Sequence, residues 1–436
     1  FMLVIEMTLF RFRNAAGATD KTITAFFLLT VALPAVLVTL LLVFRPETFL
    51  NYSGRGFTLP ERLLTEGRVL VFYLKMIIMP SIQELGLYHD DISISRGLLD
   101  PPATLYALLL LAGLLLFGLL MWGRRPLVSL GILWFFIGHS LESSIFPLEI
   151  AHEHRNYLAD YGILLALTSA LAQAPLRHLA PVVRTALPLV FLLPLSYTTW
   201  LRSEQWSDNI SHALYEARHH PQSHRAVFAA GRIHARLALQ GQPDNEAKAF
   251  EYLASASQLD QTGIIADVTM VKLGYLLDRS PDPAWFKTIL HKLANYPVTP
   301  SDISSQQDQA ACLGDTCKVP DPLREQIFQA AIKDGNPKTL TVYGFYTINN
   351  RGNFDKGLEL FTRTVELAPQ DPQYWKNLIN LLIVMGELDA AEQRLEELQA
   401  TRLPGMSAVH YRAIQDEIDT ARRIHASQPD ITTGSS

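Results

Sequence analysis

Cysteine is nearly missing from this chain: two residues in 436, too few to staple a small secreted scaffold. Charge is scarce as well. Asp, Glu, Lys and Arg make up 18% of the residues, where a soluble globular protein carries about 25%. Hydrophobic residues reach 49%, mean hydropathy is +0.13, and disorder is excluded on that ground. The 24 Gly and 25 Pro show no period, which excludes a collagen-like chain. No surplus of basic residues exists either. A net charge of -5 leaves no footprint for nucleic acid, and no basic stretch precedes the opening apolar residues, so no secretory signal is read there.

What is present divides in two, with long apolar runs in 1–200 and an ordinary charged, helical composition in 201–436. Phe1 is not an initiating residue, so the chain reads as processed or as part of a longer membrane protein. A mature type IV pilin also begins with Phe, but it carries Glu at its fifth position. Here the acid is Glu6, and Arg11 and Arg13 cut the apolar run short.

With about 20 apolar residues needed to cross a bilayer, spans are expected at 22–44, 103–122 and 127–146, with shorter ones at 157–174 and 185–200; residues 1–10 read as the stub of an earlier span. Lys and Arg in short loops mark the cytoplasmic side. Loops 11–21, 123–126 and 175–184 hold seven cations in 25 residues (Arg11, Arg13, Lys21, Arg124, Arg125, Arg177 and Arg184), and loops 45–102 and 147–156 hold seven in 68. Five crossings that start inside then place everything after Trp200 outside. The expectation is a multi-pass protein of the bacterial inner membrane with its second half in the periplasm.

Two stretches carry polar groups of interest. In the first, Glu61, Thr65, Arg68 and Lys75 fall near one helical face while Leu64, Val71, Leu74 and Ile78 take another. This predicts a helix over 61–79 lying in the membrane interface and ended by Pro80; a further span would bury Arg68 and Lys75 at high cost. In the second, the span 127–146 holds His139, Ser140, Glu142, Ser143 and Ser144 in its outer half, where ionisable groups usually face a protein interior or an aqueous cavity. A continuing helix, kinked at Pro147, would align His139, Glu142, Phe146, Glu149 and Glu153. Glu153, His154, Arg155 and Tyr157 follow at the outer surface. A guanidinium there suits bidentate contact with a lipid-linked phosphate, a carboxylate suits a sugar hydroxyl or a metal, and Tyr157 suits interfacial anchoring. The competing reading is an ion-pair network of Glu153 with Arg155 and Arg62 or Arg68 that fixes the outer loop. No zinc site is expected, because His152 and His154 diverge at i and i+2 and no third or fourth ligand is evident.

The second half repeats with a period of 34: Gly352 matches Gly386, Asp355 matches Asp389, and Gly357 matches Ala391. That is the tetratricopeptide period. Small residues at one position permit close helix approach, and Phe361 or Leu395 four residues on fills the adjacent space. Weaker helical pairs are read around 228–234, 249–256 and 271–277, whereas 297–322 reads as a loop. Within it, Cys312 and Cys317 are equally compatible with a small disulfide ring and with free thiols. His212, His219, His220, His224 and His234 read as solvated decoration. The domain expectation is a helical membrane domain over 1–200, helical repeats over 201–425, and a mobile tail over 426–436.

Together, the stretch from Arg62 through Arg68 to Tyr73, the stretch Glu153-His-Arg155-Asn-Tyr157-Leu158 through Gly162, and the outward repeats resemble the bacterial relatives of the TMTC family, GT-C type membrane glycosyltransferases with lumenal repeats. This chain has Ala159 where the family pattern has Pro. The resemblance implies an all-α fold, a multispan helix bundle followed by a tetratricopeptide α-solenoid. It also implies a polyprenyl-phosphate sugar donor at the outer face, and a protein or glycan acceptor held by the repeats. Arg62, Arg68, Glu153, Arg155 and Tyr157 are the candidate donor-phosphate or sugar contacts, with His139, Glu142 and His154 behind them. The family's acidic motif in the first outer loop, with any divalent metal, would lie upstream of Phe1. Asp90 and Asp91 follow the interfacial helix and are not given that role. The alternative function is a non-enzymatic membrane-anchored scaffold for envelope polysaccharide or pilus assembly.

Overall fold

The protein is described here by a computed structural model covering residues 1–14, 16–44, 46–50, 52, 55–173, 181–313, 318–403 and 406–427. Arg45, Arg177, Cys317 and the tail from 428 onward lie outside these residues. Among the described residues the chain is all-α, with no strand beyond the isolated bridges Arg13–Thr19 and Gly97–Asp100. It forms two compact units, Phe1–Leu259 and Asp260–Ser436.

The first unit opens with a short helical stretch over 2–10, followed by α1 (Lys21–Phe44), whose apolar window holds no buried residue. Helix α2 (Leu59–Ile78) begins as its sequence dictates: Thr58 and Glu61 form a reciprocal capping box, with Pro60 in the first turn. Then come α3 (Ala103–Met121), α4 (Pro126–Gly138), α5 (Glu153–Gln173) and α6 (Pro181–Gln205). Among the described residues, α1 and α3 are long and apolar enough to cross a membrane.

The expected span 127–146 is corrected. Helix α4 stops at Gly138 after 13 residues, because the serines that follow turn their hydroxyls back onto the chain: Ser140 donates to the Ile137 carbonyl at 2.8 Å and Ser144 to the Leu141 carbonyl at 2.6 Å. Such bonds compete with helical ones. The alignment of His139, Glu142, Phe146, Glu149 and Glu153 on one helical face therefore does not form.

Helices α4 and α5 approach unusually closely. A Cβ on Gly131 would collide with the Gly162 carbonyl oxygen, and one on Gly162 with that of Gly131. Phe135, Ala159 and Ile163 pack beside this contact with Ile77 of α2. Small residues at a crossing let backbones meet, which is how helices associate without a hydrophobic drive. The unit closes with α7 (Asn209–His219) and a helix pair, α8 (His224–Leu239) and α9 (Asp244–Leu259), in which Gly231 admits Leu253.

The second unit is a stack of helices: α10 (Ile265–Leu276), α11 (Pro283–Asn295), α12 (Pro300–Ala310), α13 (Asp321–Ala331), α14 (Pro337–Arg351), α15 (Phe354–Leu367), α16 (Pro372–Met385), α17 (Leu388–Thr401) and α18 (Ala408–Ser427). From α14 onward each helix packs on the next. Gly352 and Gly386 end α14 and α16 at φ 62 and 81, left-handed conformations that Gly adopts without steric cost. Gly344 admits the Phe361 ring and Gly357 admits Ile348, so the small positions of the repeat do what their spacing required.

The expected loop over 297–322 is corrected in part, since α12 lies within it. Thr299 and Asp302 form a capping box, and Asp302 also accepts from the Ile264 backbone N–H at 2.7 Å. Few apolar residues of the segment, among them Val298, Ile303 and Ala310, reach the cores while Asp302, Ser305, Gln306 and Gln309 are buried beside them, which is why its polar composition hid it.

Candidate functional site

Arg62 rises from α2 and is fully buried. Its guanidinium donates to the carbonyls of Glu142 (2.6 Å), Ser144 (3.1 Å) and Leu148 (2.6 Å) and pairs with Glu66 at 2.8 Å. This side chain ties down the turns after α4, leaving little of its donor set for a ligand. Burial raises the Glu66 carboxyl to about 7 against the opposing pull of Arg62. Beside this latch, Arg155 pairs with Glu142 at 3.2 Å and donates to the Glu149 carbonyl at 3.0 Å. Buried His139 meets the Asn156 amide oxygen at 3.0 Å and stacks on Tyr73. His154 is exposed beside His152, and Tyr157, 85% exposed, stands apart from both.

Glu153 belongs to a second cluster. It accepts from the Gly86 backbone N–H at 2.5 Å and from Arg202 at 3.2 Å, and lies 3.4 Å from His89. Arg202 also faces buried Glu216 at 3.6 Å, and Glu216 accepts from the Leu87 N–H at 2.8 Å. The next residues of the loop continue the junction. Asp91 meets His220 at 2.9 Å, while Asp90 accepts from Ser223 at 2.6 Å and meets His224 at 2.8 Å. Arg225 reaches Glu149 at 3.0 Å and covers the Tyr88 ring at 4.9 Å. The reading of these histidines as solvated decoration is thereby corrected for His212, His220 and His234, all buried. Each lies beside a polar group that the fold supplies: Glu216 at 3.9 Å, Asp91 at 2.9 Å and Asn245 at 2.8 Å. Asp91 raises the His220 pKa, and the hydrogen bonds from His224 and Ser223 outweigh burial to hold Asp90 near 2.

Sequence reasoning missed this junction. The signal was two adjacent acids at 90–91 and a histidine-rich corner at 219–224, 129 residues away, and nothing local connects them. Among the described residues no group of three or more His, Cys, Asp or Glu is arranged to hold a metal ion.

Arg68 is the one of the five main candidates that lines a cleft. It donates to the Ser93 carbonyl at 2.7 Å and to the Ser95 and Ser93 hydroxyls at 3.3 and 3.2 Å, which leaves Nε–H and one Nη2–H unused. It sits on the rim of a cleft of about 680 Å3 between α2 and α3. One wall is apolar, with Val71, Phe72, Ala103, Tyr106, Ala107 and Leu110. The rim is polar, with Arg68, Gln83, Glu84, Asp91 and His219. Tyr106 and Leu110 are 71% and 54% exposed, so the apolar end is open to the surface.

In the second unit, α15, α16 and α17 carry the 34-residue repeat with its glycine stops and small-to-large packing. Residues 351–410 match the tetratricopeptide-repeat family model. No curated protein matches the chain. Tetratricopeptide repeats present an extended surface to a protein partner, and in this chain α14 and α16 border an open groove of about 640 Å3.

Proposed function

We propose that the protein holds an amphiphilic, lipid-linked ligand in the cleft between α2 and α3 and a protein partner on its tetratricopeptide repeats. The observation that carries this reading is the split lining of the cleft: an apolar wall open to the surface for a chain, and a rim with an Arg68 guanidinium for an anionic headgroup. In this reading 1–200 sits in the bacterial inner membrane as a multispan bundle, α2 lies in the outer interface, and the repeats are periplasmic. The ligand class is a polyprenyl-phosphate sugar, and the activity is transfer of that sugar to a protein or glycan presented by the repeats, in the manner of a GT-C enzyme. The candidate contact set at the cleft narrows to Arg68, because Arg62, Glu153 and Arg155 are engaged within the fold and Tyr157 does not line the cleft.

The same engagement favours a second reading, a membrane-anchored scaffold that binds the lipid-linked sugar without reacting it. One experiment separates them. The full chain, purified in detergent and loaded with a polyprenyl-phosphate-linked sugar, is assayed for retention of the lipid by native mass spectrometry and for transfer to a peptide acceptor. Retention that falls in Arg68→Ala and Ala107→Trp supports the cleft; transfer alongside it supports the enzyme, and retention alone the scaffold. Retention unchanged in both variants overturns the proposal.

A further inference from the structure

The groove in the second unit is lined by α12 and α14, with Tyr374 of α16. Along α14, Lys338, Thr341, Val342, Phe345 and Asn349 recur at three- and four-residue intervals and form one stripe. Phe345 is 40% exposed, and Lys338 is exposed at the head of the helix. Among the described residues Lys338 is the single charged side chain of the lining, and it enters no ion pair. Asp371, three residues before Tyr374, is the cap of α16, accepting from the Gln373 N–H at 2.9 Å. Among the polar residues of the lining, Ser304 and Thr341 donate to the Pro300 and Pro337 carbonyls at 3.1 and 2.8 Å and keep only acceptor capacity, and the amides of Gln307 and Asn349 face the groove for backbone groups.

We infer that this groove takes an extended peptide carrying a carboxylate about three residues from an aromatic or branched apolar side chain. The inference deepens the protein-partner half of the reading above and rests on it. The occupant follows from charge and spacing. A lone cation in an otherwise uncharged groove is complemented by an anion. Seven residues of helix separate Lys338 from Phe345, about 10 Å at 1.5 Å per residue, which an extended chain spans in about three residues. Phe345 and Tyr374 supply the apolar contact, and the amides supply the backbone bonds.

The test uses the full chain in detergent micelles and a positional-scanning library of nine-residue peptides, prepared once with C-terminal amides and once with free C-termini. Selection of Asp or Glu about three positions from Phe, Tyr or Leu in the amidated library is expected. Selection confined to the free-acid library assigns the carboxylate to a chain terminus and supports the same site. Lys338→Glu is expected to switch the preference to Lys or Arg, and Phe345→Ala to weaken selected peptides roughly five- to tenfold. Both side chains are exposed, so unchanged helical content by circular dichroism is expected for both variants. Selection that ignores both substitutions, or no selection in either library, overturns the inference. Ala107→Trp, which blocks the lipid cleft, should leave peptide selection intact, so failure of the cleft and failure of the groove are told apart.

Discussion

Both units are helix stacks, yet the one that begins at Phe1 is locked by directional polar contacts and the one that begins at Asp260 by apolar filling. In the first, Arg62 holds three carbonyls, Arg202 bridges Glu153 and Glu216, and α4 meets α5 through bare glycine backbone. In the second, Phe361, Leu378, Ile379, Leu395 and Leu398 form a continuous core, with buried polar links among α10 to α13: Lys292 with Asp267 at 2.8 Å, Asp302 with the Ile264 N–H at 2.7 Å and Arg324 with the Gln309 carbonyl at 3.0 Å. The contrast teaches what each setting rewards. Where most apolar side chains stay at the surface, as along α1 and α3, they gain little from burial, and hydrogen bonds with close backbone approach define the fold. Where they are buried, the apolar core does so.

The largest expected effect tests the first half of that contrast. Arg62→Ala leaves Glu66 buried without its partner and frees the turns after α4, and it should cost about 3–5 kcal/mol; Arg62→Lys should not restore it, since a point charge cannot serve three carbonyls at fixed angles. Thermal unfolding in detergent with limited proteolysis should show cutting within 139–150. A wild-type melting profile would break the comparison. Leu378→Ala should cost roughly 2–5 kcal/mol through the cavity it opens, and the loss should be the same at low and high salt; a salt-dependent loss would mean that the second unit too is held electrostatically.

A smaller effect is expected of Gly131→Ala, about 1–3 kcal/mol from forcing α4 and α5 apart, read as a lowered midpoint of the first unit alone. The junction of the loop with α7 and α8 should depend on pH. Asp90, held near 2 against an ordinary 3.8, contributes stability above 3.8 that fades as pH falls towards 2. His220, raised above 6.5 by Asp91, contributes fully below 6.5 and loses its share as pH rises through its folded value. Because Glu66, raised to about 7, adds its own loss as pH rises from 4.5 to 7, thermal midpoints scanned across pH in a Glu66→Gln background should show a plateau between those limits, and adding His220→Gln should reduce the alkaline decline while keeping the acid one. The smallest effect belongs to the exposed pair Lys75–Glu84, where Lys75→Ala should cost less than about 1 kcal/mol; a larger loss would extend the polar lock to the surface.

Much of the architecture was readable in one dimension. The alternation from Glu61 to Ile78 located α2 within two residues of its ends, and the paired glycines 34 residues apart located the repeats. Arg68 was readable as a candidate, but its place on a cleft rim was not, because α3 supplies the opposite wall from more than thirty residues away. Arg62 looked like a ligand-binding cation. Its partners are main-chain carbonyls, which no residue type advertises. Glu153 and Arg155 sit two positions apart and were read as one cluster, yet successive side chains on a helix diverge, and the two serve different networks.

Periodicity and composition located most of the helices, the repeat stops at Gly352 and Gly386 and the greasy half of the chain, because those properties depend on residues within a turn or two of one another. Tertiary structure decided that α4 ends at Gly138, that Asp91 finds His220, and that an arginine is consumed or left facing a cleft. Each of these depends on a polar partner far along the chain, and a buried charge takes whichever partner the fold brings within hydrogen-bonding reach.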